Sequence, residues 1–95
     1  MAIGILTPSI TTGDAVSNDA LGMYQALTER DSVKIFAEGW TINQPRIRPS
    51  TEIKSFIGKP DDILIYHYSR GWQPGLEMLR ELRCRKVIKY HNVTP

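Results

Sequence analysis

Two histidines in this chain of 95 residues lie at the ends of apolar runs that predict buried strands. His67 lies near the end of the run 63–69, and His91 ends the run 86–91. In an open α/β sheet, ligands bind beyond the carboxyl ends of the strands, so both imidazoles are expected at the binding edge. Such rings suit proton transfer near neutral pH, but each could equally be structural and donate to a backbone carbonyl.

Two imidazoles at one edge could also hold a metal ion. However, the sequence has no further histidine and a single cysteine, Cys84. The two histidines also lack the helical or hairpin spacing that marks metal ligands in a sequence. We therefore predict no metal site and no cofactor.

The turn after the run 63–69 carries residues that could hold a ligand. Arg70 offers a bidentate fork for an anionic group, and Trp72 offers a ring face that can stack on a sugar. Ser69 lies two residues after His67, but no Gly-x-Ser-x-Gly elbow surrounds it, so a serine hydrolase is disfavoured. Substrate binding by Arg70 and Trp72 and a purely structural turn are equally compatible with this pattern.

A second polar turn, residues 9–14, follows the first apolar run and contains Gly13 and Asp14. A helical pattern begins there, and the backbone N–H groups at a helix start can bind a phosphate. Gly13 belongs to neither Gly-x-Gly-x-x-Gly nor Gly-x-x-x-x-Gly-Lys-Ser/Thr, which argues against a dehydrogenase and a nucleoside triphosphatase. Gly13 could equally serve only a tight turn, and Asp14 suits the amino-terminal cap of the helix.

Four apolar runs, starting near residues 2, 33, 63 and 86, alternate with segments of helical periodicity. This alternation predicts one α/β domain over residues 1–95: a three-layer α/β/α, Rossmann-like domain with a four-stranded parallel sheet in the order 3-2-1-4. Residues 38–49 are polar and contain helix and strand breakers, so they are expected to form a long surface loop. The last strand should lie at an edge, where unpaired backbone groups favour a homo-oligomer.

Composition excludes several classes of protein. The chain is 41% hydrophobic and 23% charged, as is usual for globular domains, and its net charge of +2 is too small to indicate a nucleic-acid partner. No apolar run approaches the ~20 residues of a membrane span, and no signal peptide is recognisable, so a cytoplasmic location is expected. A basic cluster could be a solvated helix end, or could contact an acidic membrane surface peripherally or a phosphorylated substrate; it comprises Arg80, Arg83, Arg85, Lys86 and Lys89.

Two motifs resemble a known family. Residues 62–69 read Asp-Ile-Leu-Ile-Tyr-His-Tyr-Ser and residues 90–95 read Tyr-His-Asn-Val-Thr-Pro, and both look like the amino-terminal domain of family 4 glycosyltransferases, which retain anomeric configuration and have the GT-B fold. Members of that family have two Rossmann-like domains and transfer a hexose without a metal. The resemblance implies that residues 1–95 are a truncated, acceptor-binding part of such a hexosyltransferase, inactive alone. A glycan or lipid-linked acceptor is implied, with a sugar-nucleotide donor bound mainly by a second domain.

The resemblance also assigns roles to residues. His91 matches the histidine that faces the transferred sugar and is therefore the implied catalytic residue. Residues 13–19 look like the loop that approaches the donor phosphates, which adds Asn18 to the candidates. The predicted substrate-binding residues are Gly13, Asp14, Asn18, His67, Ser69, Arg70, Trp72 and Asn92. The alternative is a small non-catalytic α/β domain for binding or interaction.

Overall fold

A computed structural model describes residues 1–91; Asn92, predicted to bind substrate, lies outside the described residues. Five strands form one parallel sheet in the order β3-β2-β1-β4-β5. Three α-helices and one 3₁₀ turn connect them. The elements are β1 (Ala2–Ile10), α1 (Ala15–Leu27), β2 (Ser32–Trp40), β3 (Ile47–Pro49), the 3₁₀ turn (Ser50–Glu52), α2 (Ile53–Phe56), β4 (Ile63–Tyr68), α3 (Gln73–Glu81) and β5 (Arg85–Tyr90).

The α/β class and the parallel sheet are confirmed, but the strand count and the predicted order are wrong. The segment 38–49 is not wholly a surface loop, because β2 runs to Trp40 and residues 47–49 form β3 on its outer edge. Ile47 pairs with Ile35 there, and the strand ends at Pro49. The run 63–69 was predicted to lie beside the second strand, whereas β4 pairs with β1. With β3 included, the order is the one expected of a Rossmann-like sheet.

Helices cover both faces of the sheet because its strands carry apolar side chains on both faces. On β1, Ile3 and Ile5 belong to one core, against which Leu21, Tyr24 and Leu27 of α1 pack. Leu6, the residue after Ile5, points to the opposite face and belongs to the other core, which receives side chains from α2 and α3. Such continuous apolar strands are typical of a parallel sheet buried on both sides.

Strand β5 is an edge of the sheet, as predicted. It pairs only with β4 among the described strands, from Ile63↔Arg85 to Tyr68↔Tyr90. Its apolar side chains are exposed to solvent: Val87 is 50% exposed, Ile88 42% and Tyr90 72%. Within residues 1–91, no helix is long and apolar enough to cross a membrane.

Candidate functional site

The candidate site lies where β4 and β5 end. His67 is paired in register with Lys89 of β5, and His91 follows β5 directly. Register partners in a sheet point to the same face, and residues two apart on a strand do so as well, so Lys89 and His91 lie beside His67. The His91 backbone N–H donates to the Tyr68 carbonyl at 2.9 Å, which continues the β4–β5 pairing to this point. Both predicted histidines are therefore at the carboxyl edge of the sheet.

The two imidazoles contact each other directly. His67 Nδ1 lies 2.8 Å from His91 Nε2, a hydrogen bond in which either ring can be the donor, depending on its tautomer. The rings stack, with their centroids 5.1 Å apart and their planes inclined by 22°. His67 is fully buried, and its side chain has no exposed area, whereas 14% of the His91 side chain is exposed. His91 is thus the ring that a ligand at this edge can reach.

Helix α1 adds a carboxylate to this pair. Asp19 Oδ2 lies 3.8 Å from His67 Nδ1 and 3.6 Å from His91 Nε2. The same oxygen forms an ion pair with Lys89 Nζ at 2.5 Å. Sequence reasoning missed Asp19. The available signal was its place next to Ala20 on the apolar stripe of α1, where an acidic side chain is unusual.

The surroundings of His67 and Asp19 shift the pKa values of both side chains. Burial and, to a smaller extent, the neighbouring His91 together lower the pKa of His67 to about 4, while Asp19 has a smaller opposing effect. His67 is consequently a neutral imidazole at pH 7. The Lys89 ammonium holds the pKa of the Asp19 carboxyl below its ordinary value of 3.8, and partial burial opposes that shift. The cluster therefore combines a neutral ring with an ionised carboxylate at neutral pH.

Gly13 and Asp14 form the start of α1 at the carboxyl end of β1. Gly13 has φ +81°, a conformation that favours glycine, and the space where a side chain would begin is open. The Asp14 carboxylate caps the helix: it accepts from the Val16 N–H at 3.2 Å and from the Ser17 hydroxyl at 3.1 Å. Ser17 in turn accepts from the Thr11 N–H at 3.0 Å. Both Asp14 carboxylate oxygens thus have partners within the turn itself, and a substrate contact by Asp14 stays a prediction.

The remaining predicted residues are more scattered. Asn18 is exposed on α1, Ser69 is half-buried after β4, and Arg70 is exposed in the following turn. Trp72, in contrast, is 7% exposed. Its indole N–H donates to Glu38 Oε2 at 2.9 Å, and its ring stacks on another aromatic ring of the core at 6.5 Å. In this arrangement the Trp72 ring is a core side chain, and its faces are not available to a sugar.

A surface depression also exists at the opposite edge of the sheet. It has a volume of about 560 Å³ and is lined by residues around the start of β1 and the turn before β4, including Met1, Ser32 and Asp61. Ligands of open parallel sheets bind at the carboxyl edge. The His67–His91 edge is therefore the stronger candidate site.

Comparisons with protein-family models, with curated proteins and with solved structures find no match to this chain.

Proposed function

We propose that this chain is the acceptor-binding part of a glycosyltransferase that transfers a hexose from a sugar nucleotide to a glycan or lipid-linked acceptor. The observation that carries the proposal is the contact between His67 and His91 at the carboxyl edge of a parallel sheet. His67 and His91 belong to the two motifs that carry the resemblance, residues 62–69 and 90–95 of the sequence. Binding beyond the strand ends is the general behaviour of such sheets.

The proposed roles follow from burial. His67 is inaccessible and neutral, so its role is to orient the His91 ring through the hydrogen bond between them. His91 is the partly exposed member and hydrogen bonds a hydroxyl of the sugar. A hydrogen bond that holds the ring also selects its tautomer, which decides whether His91 donates to or accepts from that hydroxyl. Gly13 leaves open space at the start of α1, next to which the donor phosphates are proposed to lie.

Ligand binding by the isolated chain tests this function without requiring turnover. Uniformly ¹⁵N-labelled protein is titrated with UDP-glucose, with GDP-mannose and with octyl glucoside as an acceptor mimic, and amide shifts are followed by NMR. We expect shifts around Gly13, His67 and His91 with at least one of these compounds. His91→Ala should abolish them, whereas Thr51→Ala, an exposed position on the 3₁₀ turn, should not. Unchanged spectra with all three compounds would reject the proposal, as would equal binding by His91→Ala.

A specific observation favours the second candidate, a non-catalytic interaction domain. The edge strand β5 presents Val87, Ile88 and Tyr90 to solvent, and exposed apolar side chains on an unpaired edge are typical of a surface that meets another chain. The two functions differ in what they bind. Sugar ligands that shift residues around His91 support the transferase, and protein association through β5 without any sugar binding supports the interaction domain.

A further inference from the structure

We propose that Asp19, His67 and His91 form a binding site for a divalent transition-metal ion, with Zn²⁺ as the probe ion. The three side chains come from α1, from the end of β4 and from the residue after β5, and their ligand atoms lie within 4.8 Å of one another. The sequence argued against a metal because it offered two imidazoles alone. Asp19 supplies the third ligand, which only the packing of α1 on the sheet brings into place.

The spacing of the three atoms matches metal–ligand bond lengths. His67 Nδ1, His91 Nε2 and Asp19 Oδ2 are separated by 2.8, 3.6 and 3.8 Å. A point about 2.0 Å from all three atoms lies inside that triangle, and bonds from Zn²⁺ to imidazole nitrogen and carboxylate oxygen are about 2.0–2.2 Å long. An ion at that point would replace the direct hydrogen bond between His67 Nδ1 and His91 Nε2, so the two rings would be held by the ion instead of by each other. Three protein ligands would leave a coordination position open for water or a ligand hydroxyl.

The chemistry of the ligands selects the class of ion. Two imidazoles and one carboxylate suit Zn²⁺, Co²⁺, Ni²⁺ and Cu²⁺, whereas Mg²⁺ and Ca²⁺ prefer sites made of oxygen atoms. Binding of the ion through Nδ1 uses the neutral form of His67 that carries its proton on Nε2. His67 Nε2 is buried and has no hydrogen-bond partner within residues 1–91.

Lys89 opposes binding of the ion. Its ammonium contacts the same Asp19 oxygen that would bind the ion, so the two cations compete for one ligand. The Lys89 side chain is 41% exposed, which allows it to turn into solvent when the ion binds. An exposed ion pair is worth up to ~1 kcal/mol, so removal of the ammonium should tighten Zn²⁺ binding by up to about five-fold.

The test is Zn²⁺ titration of the tag-free chain at pH 7, after treatment with a chelator, by competition with a chromophoric Zn²⁺ indicator. We expect one equivalent to bind. Binding should be lost in His91→Ala, weakened by about ten-fold or more in Asp19→Asn, and tightened in Lys89→Met. Cys84→Ser is the matched control, because Cys84, a thiol that could bind Zn²⁺ nonspecifically, contacts the other core and is remote from the three ligands.

Imidazole ¹⁵N shifts provide the structural readout, since they identify which ring nitrogen is ligated. Zn²⁺ should bind His67 through Nδ1 and His91 through Nε2. Circular dichroism of each variant checks that it is folded, and Asp19→Asn and Lys89→Met remain informative if His91→Ala is not. The proposal is overturned if neither the wild type nor Lys89→Met binds one equivalent of Zn²⁺. It is also overturned if folded His91→Ala and Asp19→Asn both bind Zn²⁺ as tightly as the wild type, or if the shifts show that other ring nitrogens bind the ion. None of these outcomes depends on sugar binding, so this site and the proposed function can fail separately.

Discussion

Asp62, at the amino-terminal edge of the sheet, should contribute a large, pH-dependent share of the stability of this fold. The residue is 4% exposed. Its Oδ1 accepts from the Ala2 N–H at 3.0 Å, and its Oδ2 accepts from the N–H groups of Gly58 at 3.0 Å and Lys59 at 2.9 Å. The carboxylate thereby ties the first residue of β1 to the turn that follows α2. The sequence contains no signal for these contacts.

The three amide donors explain the acidity of Asp62. The hydrogen bond from Ala2, followed by those from Gly58 and Lys59, lowers its pKa from 3.8 to about 2, and burial opposes the shift. At ~1.4 kcal/mol for each pKa unit, that difference corresponds to about 2.5 kcal/mol of folding free energy. A lowered pKa means that this contribution is complete above the unfolded-state value near 3.8 and disappears as the pH falls towards 2.

The substitution Asp62→Asn tests this magnitude. An amide has one acceptor oxygen, and its NH₂ group would face backbone donors, so the variant loses both the charge and at least one hydrogen bond. We expect a loss of about 2–4 kcal/mol in the free energy of unfolding at pH 7, measured by urea denaturation. Asp61→Asn is the matched control: Asp61 is an exposed neighbour, and its effect should stay within about 0.5 kcal/mol.

Measurements at low pH separate the charge from the shape of the side chain. The difference between wild type and Asp62→Asn should shrink as the pH is lowered from 4 to 2, because the wild-type carboxyl becomes protonated there. Equal losses in Asp61→Asn and Asp62→Asn would refute the reasoning. A difference for Asp62→Asn that stays constant over this pH range would refute the role of the charge.

Three further predictions concern the core, the edge and the site. Gly75→Ala should lower the free energy of unfolding by about 1–3 kcal/mol, because the new Cβ would come closer than 3.0 Å to two aromatic rings. Gly22→Ala, where α1 has open space, should raise it by about 0.5–1 kcal/mol, and thermal denaturation of both variants checks this. The wild-type chain should be a dimer by light scattering after gel filtration and Val87→Lys a monomer, since β5 is an edge with exposed apolar side chains; a monomeric wild type would contradict this. In the presence of a chelator, the His67 ring should stay neutral in NMR titrations down to about pH 4. Folding stability should fall as the pH drops from 6.5 towards that value, because the unfolded chain takes up the proton first. Protonation of His67 near pH 6.5 would exclude its burial in solution.

The sequence alone was sufficient for the main elements of the fold. The apolar runs around β1, β2, β4 and β5 and the helical periods between them are local signals, because a strand or helix that packs on a sheet must carry its apolar residues at a fixed spacing. The parallel arrangement then follows from the alternation of the two kinds of element. The same logic located His67 and His91 at one edge, since both follow strands that run in the same direction.

Tertiary structure alone decided the features that join distant residues. Strand β3 has three residues, too few for a pattern, and it is a strand only because β2 offers it a free edge. Strand β3 takes the outer side of β2, and β4 pairs with the free side of β1. Likewise, Asp19 joins the histidines 48 and 72 residues later only because the position of α1 on the sheet brings its side chain to the ends of β4 and β5. Local spacing predicts which face a residue takes, but contacts between elements depend on the order in which strands pair, and that order is set by the packing of the whole domain.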